Sequence, residues 1–286
     1  MAKRAGGTPL TARLAEELSH TIQSVVKTRS LVYPRILWRI LRQRRLTPGT
    51  MRFPLGRIRY LDAVSLRTIY YQIFVAGIYQ VDGLGATPTI IDCGGNIGLS
   101  VIAFKQRYPQ ARILTFEADP KLAAVLAQNV KALGLPDVTV AAQAVGGVNG
   151  HVLFQPDNAV GGRVVESHGA STPAQAISVP LVRLSDQMDQ IEGPVDLLKM
   201  DIEGSEYDVI ADLCQSGRIA QVRTLICGVH GSPATQRQVG ELWRQLTEAG
   251  FRLSLYDARV VGDPRETPFA VIRGRYYAVI VYAWRL

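Results

Sequence analysis

The sequence predicts an α/β fold: a mostly parallel sheet covered by helices, closed by an antiparallel hairpin, behind an N-terminal basic helical extension. Three observations predict it. From Thr89 onward, short strand-like runs alternate with helical stretches. The first of these runs, in "IIDCGGNIGLS" (Ile90–Ser100), passes through an acid and a glycine cluster into a helix-like segment. The last two, Phe251–Tyr256 and Tyr276–Tyr282, have no helical pattern between them, so they are expected to pair antiparallel.

In chain order, residues 1–9 read as a loose tail, and Leu10–Leu46 is helical and basic. There Ile36, Leu37, Ile40 and Leu41 share one face, with Arg35, Arg39, Arg42 and Arg45 elsewhere on the surface. Thr47-Pro48-Gly49 ends that segment, and Val64–Tyr79 reads as a further helix. Gly83–Pro88 punctuates the chain and divides an extension or cap (1–85) from the main domain (86–286). Strands are expected at Thr89–Cys93, Ile113–Phe116 and Val138–Val145, with helices at Leu99–Tyr108 and Pro120–Leu133 between them. Asp119 caps the second helix, with Pro120 at its first position. Residues 146–176 interrupt the alternation as a candidate lid or substrate loop. Order resumes with strand Ile177–Arg183, a short helix Ser185–Met188, strand Val195–Met200 and helix Ser205–Leu213. Ser205 and Asp208 form a plausible capping box there. Strand Thr224–Val229 and helix Gln236–Ala249 follow.

The 286 residues are 47% apolar and 20% charged, the balance of a soluble globular protein. No apolar run reaches membrane-span length, and no signal-peptide pattern is read at the start. Cys93, Cys214 and Cys227 are too few and too scattered for a zinc cluster or a disulfide framework, which suits a cytoplasmic setting. Residues 1–60 hold 13 Lys and Arg against 2 acids, a net +11. The rest of the chain therefore carries −3 of the overall +8, and the basicity belongs to the extension.

The glycine turn lacks the GxxxxGK[ST] of a phosphate loop, and Gly94, Gly95 and Gly98 do not make GxGxxG. Asp92, Gly94 and Gly98 do make DxGxxxG, with an acid at the strand end. That suits S-adenosylmethionine (SAM), which carries an ammonium, a carboxylate and a sulfonium. Glu117 ends the next strand, 25 positions on, where an acid can accept both ribose hydroxyls. Gln143, toward the end of the third strand, has two readings: a bond to the adenine edge, or a surface residue. In "VDLLKMDIEGSEYDVI", Lys199, Asp201 and Glu203 alternate off a fourth strand and Glu206 opens a helix. All are aimed at the crevice beyond the strand ends.

With "IIDCGGNIGLS", "FEADP", "LLKMDIEGSE", the terminal strands and "IFVAGIY" (Ile73–Tyr79), residues 73–286 resemble the FkbM-type family of SAM-dependent methyltransferases. The resemblance implies a Rossmann-like class I methyltransferase fold with a seven-stranded sheet. It also implies methyl transfer, commonly to a hydroxyl of a sugar or natural product. It places Asp92, Gly94, Asn96 and Gly98 in the SAM turn and Glu117 at the ribose. Lys199, Asp201, Glu203 and Glu206 fall in the family's charged motif. Ala118 stands where proline is common, and residues 1–60 inherit no role.

For the reaction, His230 after the fifth strand is the first candidate base, and an acid of the Asp201/Glu203 cluster is the second. Glu206 is expected to favour a helix N-terminus, and His168 to lie in the insertion loop. After the fifth strand stand His230-Gly231-Ser232 rather than an Asp-Asn pair, so metal-independent transfer is expected. The expected acceptor is a small molecule or glycan. Nucleic acid is disfavoured because "DIEGSE" replaces the base-stacking [DNS]PP[YFW] and would repel phosphates. An RNA methyltransferase using the basic segment, an NAD(P)-dependent oxidoreductase and a non-catalytic binding module remain as rivals. Three readings of the extension also stand: a packed cap, a contact with RNA, and a peripheral contact with an anionic membrane or lipid-linked substrate. The last would run through residues 29–46, with Trp38 and Tyr33 near the interface. A homodimer is compatible with all of them.

Overall fold

A computed structural model describes residues 10–42, 44, 46–156, 162–164, 176–231, 234–260 and 277–285. The chain opens with α1 (Leu10–Thr28), α2 (Val32–Arg42), a hairpin of β1 (Gly49–Phe53) and β2 (Gly56–Tyr60), and α3 (Ala63–Tyr70). The last runs on as a π-helical turn, Tyr71–Ala76. Then come β3 (Thr89–Cys93), α4 (Leu99–Arg107), β4 (Arg112–Phe116), α5 (Pro120–Ala132), β5 (Val138–Ala141), β6 (Ala144–Gly146), β7 (Gly150–Gln155), β8 (Arg163–Val164) and β9 (Ile177–Arg183). The remainder is α6 (Leu184–Met188), β10 (Val195–Met200), α7 (Glu206–Gln215), a 3₁₀ turn Arg218–Gln221, β11 (Val222–Gly231), α8 (Gln236–Glu248), β12 (Arg252–Val260) and β13 (Tyr277–Trp284).

The main sheet has seven strands in the order β12-β13-β11-β10-β3-β4-β5. The strands from β11 to β5 are parallel, and β13 pairs antiparallel with both β11 and β12. This is the Rossmann-like architecture with its antiparallel closing hairpin. Every residue of β3 is buried, as a central parallel strand requires. Successive residues serve opposite faces. Ile90 and Leu197 join a core with Ile36, Leu66, Tyr70 and Ile102, while Ile91 and Leu198 join one with Val209, Ile210, Leu225 and Leu242.

The N-terminal layer is therefore bound into the core of one sheet face. It also contains the hairpin β1–β2, which the helical reading of the segment missed. Met51, Phe53, Ile58 and Tyr60 alternate inward, and short strands bounded by Pro48 and Gly56 carry too few residues to show that period clearly. The segment Leu10–Leu46, expected to be helical and basic, forms two helices separated at Arg29, whose φ is 49°. Tyr33 does not approach an interface. It is 1% exposed, and its hydroxyl donates to Glu17 at 3.3 Å.

Two further differences matter for the site. The strand expected at Val138–Val145 divides after Ala141, because β6 leaves the main sheet to pair with β9. Gln143 is left in the break. The insertion is partly a sheet: β7 pairs antiparallel with β9 and with β8. His168 and residues 157–161 and 165–175 lie outside the described residues.

Ile36 is fully buried against the shared core. Ile36→Ala is expected to cost about 2–5 kcal/mol and to lower the midpoint of one cooperative urea transition followed by circular dichroism. A separate early transition for the N-terminal layer would contradict the shared core.

Candidate active site

The C-terminal ends of β3, β4, β10 and β11 open into a cavity of about 250 Å³. Its wall includes Gly94, Asn96, Glu117, Gln143, Lys199, Asp201, Glu203 and His230, so these eight sequence-derived residues are brought together. Asp92 and Gly98 are not on the wall. Asp92 is fully buried behind the turn, where its Oδ2 accepts from Ser100 Oγ at 2.7 Å and Thr115 Oγ1 at 3.1 Å. Gly98 has φ 94° and starts α4.

The turn is held from below. Gly94 N and Gly95 N both donate to Phe116 O at 2.9 Å. Lys199 Nζ lies 3.1 Å from Asp92 Oδ1 and donates to Cys93 O at 3.1 Å and Gly94 O at 2.7 Å. Gly94 has φ 87°, and a Cβ there would fall 2.1 Å from Asp201 O, so only glycine fits. Burial disfavours the charge on Lys199, but Asp92 and Asp201 outweigh it and hold the ammonium above its usual range.

Glu117 accepts from Asn96 N at 2.7 Å and Asp119 N at 2.9 Å. Burial nevertheless raises its pKa to about 7. Asp119 caps α5 as expected, accepting from Lys121 N and Leu122 N. Ser205 does not cap α7 through its side chain, contrary to the expected capping box. Glu206, the first residue of α7, serves the preceding loop instead. It is fully buried, and its carboxylate accepts from Ile202 N at 3.0 Å and Gly204 N at 2.7 Å. This charge at a helix N-terminus also grips His230, whose Nδ1 lies 3.2 Å from Glu206 Oε1.

His230 Nε2 faces Asp201 Oδ1 at 3.7 Å and Glu203 Oε2 at 3.6 Å. Burial lowers its pKa, but the Glu206 hydrogen bond and the charges of Asp201, Glu206 and Glu203 prevail and raise it to about 10. That shift favours an imidazolium, a donor, over a neutral base, and weighs toward the acid of the Asp201/Glu203 pair as the proton acceptor.

Sequence reasoning missed Tyr79. Its hydroxyl donates to Asp201 Oδ2 at 2.6 Å, and its ring lies 5.0 Å from Lys199 Nζ. The signal was available, since Tyr79 ends the "IFVAGIY" segment. Thr68 and Gln72 reach the wall from α3 and the π-helical turn, where only core helix was legible.

Asp201, Glu206 and His230 each place a ligand atom within 4.8 Å of the others, a spacing open to a divalent ion. The Glu206 oxygens are already engaged by two backbone amides and an imidazole. The wall's chemistry fits SAM more fully. Glu117 can accept ribose hydroxyls, Gln143 offers an amide to adenine, and the mouth is rich in carboxylates toward a cation.

Residues 92–253 match the family model described as the methyltransferase FkbM domain. The chain is 32% identical over 182 residues to Methyltransferase sdnD of Sordaria araneosa, covering 52% of this chain and 70% of that one. It is 28% identical over 199 residues to Methyltransferase 1 of Beauveria bassiana, covering 62% and 80%. It is 31% identical over 140 residues to the 2-O-methyltransferase NoeI of Sinorhizobium fredii, covering 43% and 56%. Among solved structures, Aeropyrum pernix fibrillarin with natively bound S-adenosyl-L-methionine is similar at TM-score 0.43 and 13% identity, covering 84% of each chain.

The raised pKa of His230 has a stability consequence. Its contribution is whole below about pH 6.5, the unfolded value, and is lost as pH rises through about 10. The stability gap between wild type and His230→Gln is expected to shrink across that window. The ring resonances of free protein are expected to titrate near 10, and a midpoint near 6.5 would contradict the carboxylate cage.

Proposed function

The chain belongs to the FkbM family of SAM-dependent methyltransferases, and from that premise we propose that it methylates a hydroxyl oxygen of a sugar or specialised metabolite without a metal. The observation that carries this reading is the cage of Asp201, Glu203 and Glu206 around His230, beside the glycine turn and open to the same cavity. Support also comes from the relative named as a 2-O-methyltransferase.

When bound, SAM supplies an activated methyl group on a sulfonium, leaving alignment and proton removal to the chain. Glu117 and Gln143 hold the nucleoside end, and the backbone at Gly94 and Asn96 forms the turn around the amino-acid end. Asp92 acts from behind, keeping Lys199 charged and the turn in place. An acceptor hydroxyl enters between Asp201 and Glu203. As that oxygen is methylated, a carboxylate of the pair would take the hydroxyl proton. Asp201 is fixed for this by Tyr79 on Oδ2 and has Oδ1 toward His230. The imidazolium steadies the two carboxylates and Glu206 sets its ring. The carboxylates at the mouth disfavour a polyanionic acceptor.

Asp201→Asn is expected to lower turnover about 10²–10⁴-fold while SAM still binds, measured by S-adenosylhomocysteine release with a panel of hydroxylated sugars and metabolites. EDTA is expected to leave the rate unchanged. A product methyl assigned by NMR to nitrogen or carbon would overturn O-methylation. Activity lost to EDTA and restored by Mg²⁺ would overturn metal independence.

A further inference from the structure

On the outer side of the N-terminal layer, α2 and the hairpin enclose a groove of about 310 Å³ lined by Arg35, Arg39, Arg52 and Arg57 around Trp38. Among the described residues, none of the four guanidiniums pairs with a carboxylate. The first 60 residues carry only two acids, and Glu17 is tied to Arg67 and Tyr33. Arg52 and Arg57 are register partners across β1 and β2, on the exposed face, where like charges directly opposite are destabilising. An arrangement with that internal cost is relieved by an anion between the arms. Beside it, Trp38 is 49% exposed with the Arg42 guanidinium 4.3 Å from its ring, and Leu41 is 85% exposed.

We propose that this face docks on the anionic phospholipid headgroups of a membrane surface. The guanidiniums take the phosphates, and Trp38 and Leu41 enter the headgroup boundary. Guanidinium forks match phosphate oxygens, and an amphipathic aromatic beside exposed leucine is interfacial chemistry. A free phosphate or an RNA would use the same arginines but would leave Leu41 in water. Among the described residues no helix is long and apolar enough to cross a membrane, so the contact is with its surface. The face is distinct from the cavity at the strand ends, since the two share no lining residue.

The test is co-sedimentation of the full chain with vesicles of phosphatidylcholine alone and of phosphatidylcholine with phosphatidylglycerol. Binding is expected only to the second, weakening with salt. R52Q/R57Q is expected to bind about thirtyfold more weakly, each basic residue near an anionic surface contributing about fivefold. R52K/R57K is expected to keep most of the binding, and W38A to lose part of it. SAM affinity serves as a control and is expected to be unchanged in all three variants, with the melting temperature of R52Q/R57Q no lower than wild type because the opposed charges are removed. Failure of wild type to bind anionic vesicles would overturn the proposal, as would undiminished binding by R52Q/R57Q. So would stabilisation by inorganic phosphate, or binding of single-stranded RNA, without vesicle binding.

Discussion

The site depends on one buried ion pair. Lys199 and Asp92 face each other in register on adjacent parallel strands, and neither is more than 1% exposed. Such a pair is costly to bury and survives when every remaining donor and acceptor is engaged. Asp92 meets this with the hydroxyls of Ser100 and Thr115, which belong to α4 and β4. Lys199 meets it with two carbonyls of the turn. One interaction thus ties together β3, β10, β4 and α4 at the point where the chain must bend past a ligand. The glycine at Gly94 follows from this, because the turn is drawn down onto the Asp201 carbonyl.

The charges at the mouth are arranged around that fixed point. Lys199 lies beneath these acids: Asp201 helps hold its ammonium pKa above the usual range, and its charge partly offsets the burial that raises Glu117. At the other side Glu206 does two tasks. It satisfies amides of the tight loop in which Glu203 has φ 57°, and it orients His230 from the end of β11. His230, its pKa raised to about 10, then favours a positive charge among three carboxylates, which is why the proposed reaction gives proton removal to its neighbours. The same residues therefore fix the loop's shape and the protonation states that the chemistry uses.

Much of the fold was legible because it rests on periodicity. The parallel strands, the capped α5 and the antiparallel ending are local patterns with distinct signatures. Most of the site was legible for the same reason: strand ends converge in such a sheet, so Glu117, Asp201 and His230 could be placed in one crevice from order alone. What was hidden depends on tertiary contact. The β1–β2 hairpin is too short to display its period. The buried position of Asp92 depends on Lys199 lying beside it, and the charge of His230 depends on Glu206 reaching back across the loop. Tyr79 enters the site from the end of "IFVAGIY", a segment whose period shows a helix but not its contact with Asp201. Ser205 makes no capping bond at the start of α7, and the Glu206 carboxylate beside it serves the loop amides and the imidazole together, a contact that local spacing does not show.

The central claim is that Lys199 and Asp92 act as a unit to hold the turn for the cofactor. The most direct test is a double-mutant cycle in SAM affinity, measured by titration calorimetry on wild type, Lys199→Met, Asp92→Asn and the double variant, with each variant's fold checked by circular dichroism. Coupling of about 0.5–3 kcal/mol is expected, with the double variant losing less than the sum of the single losses. Losses that add to within about 0.5 kcal/mol, or wild-type affinity in Lys199→Met, would contradict it.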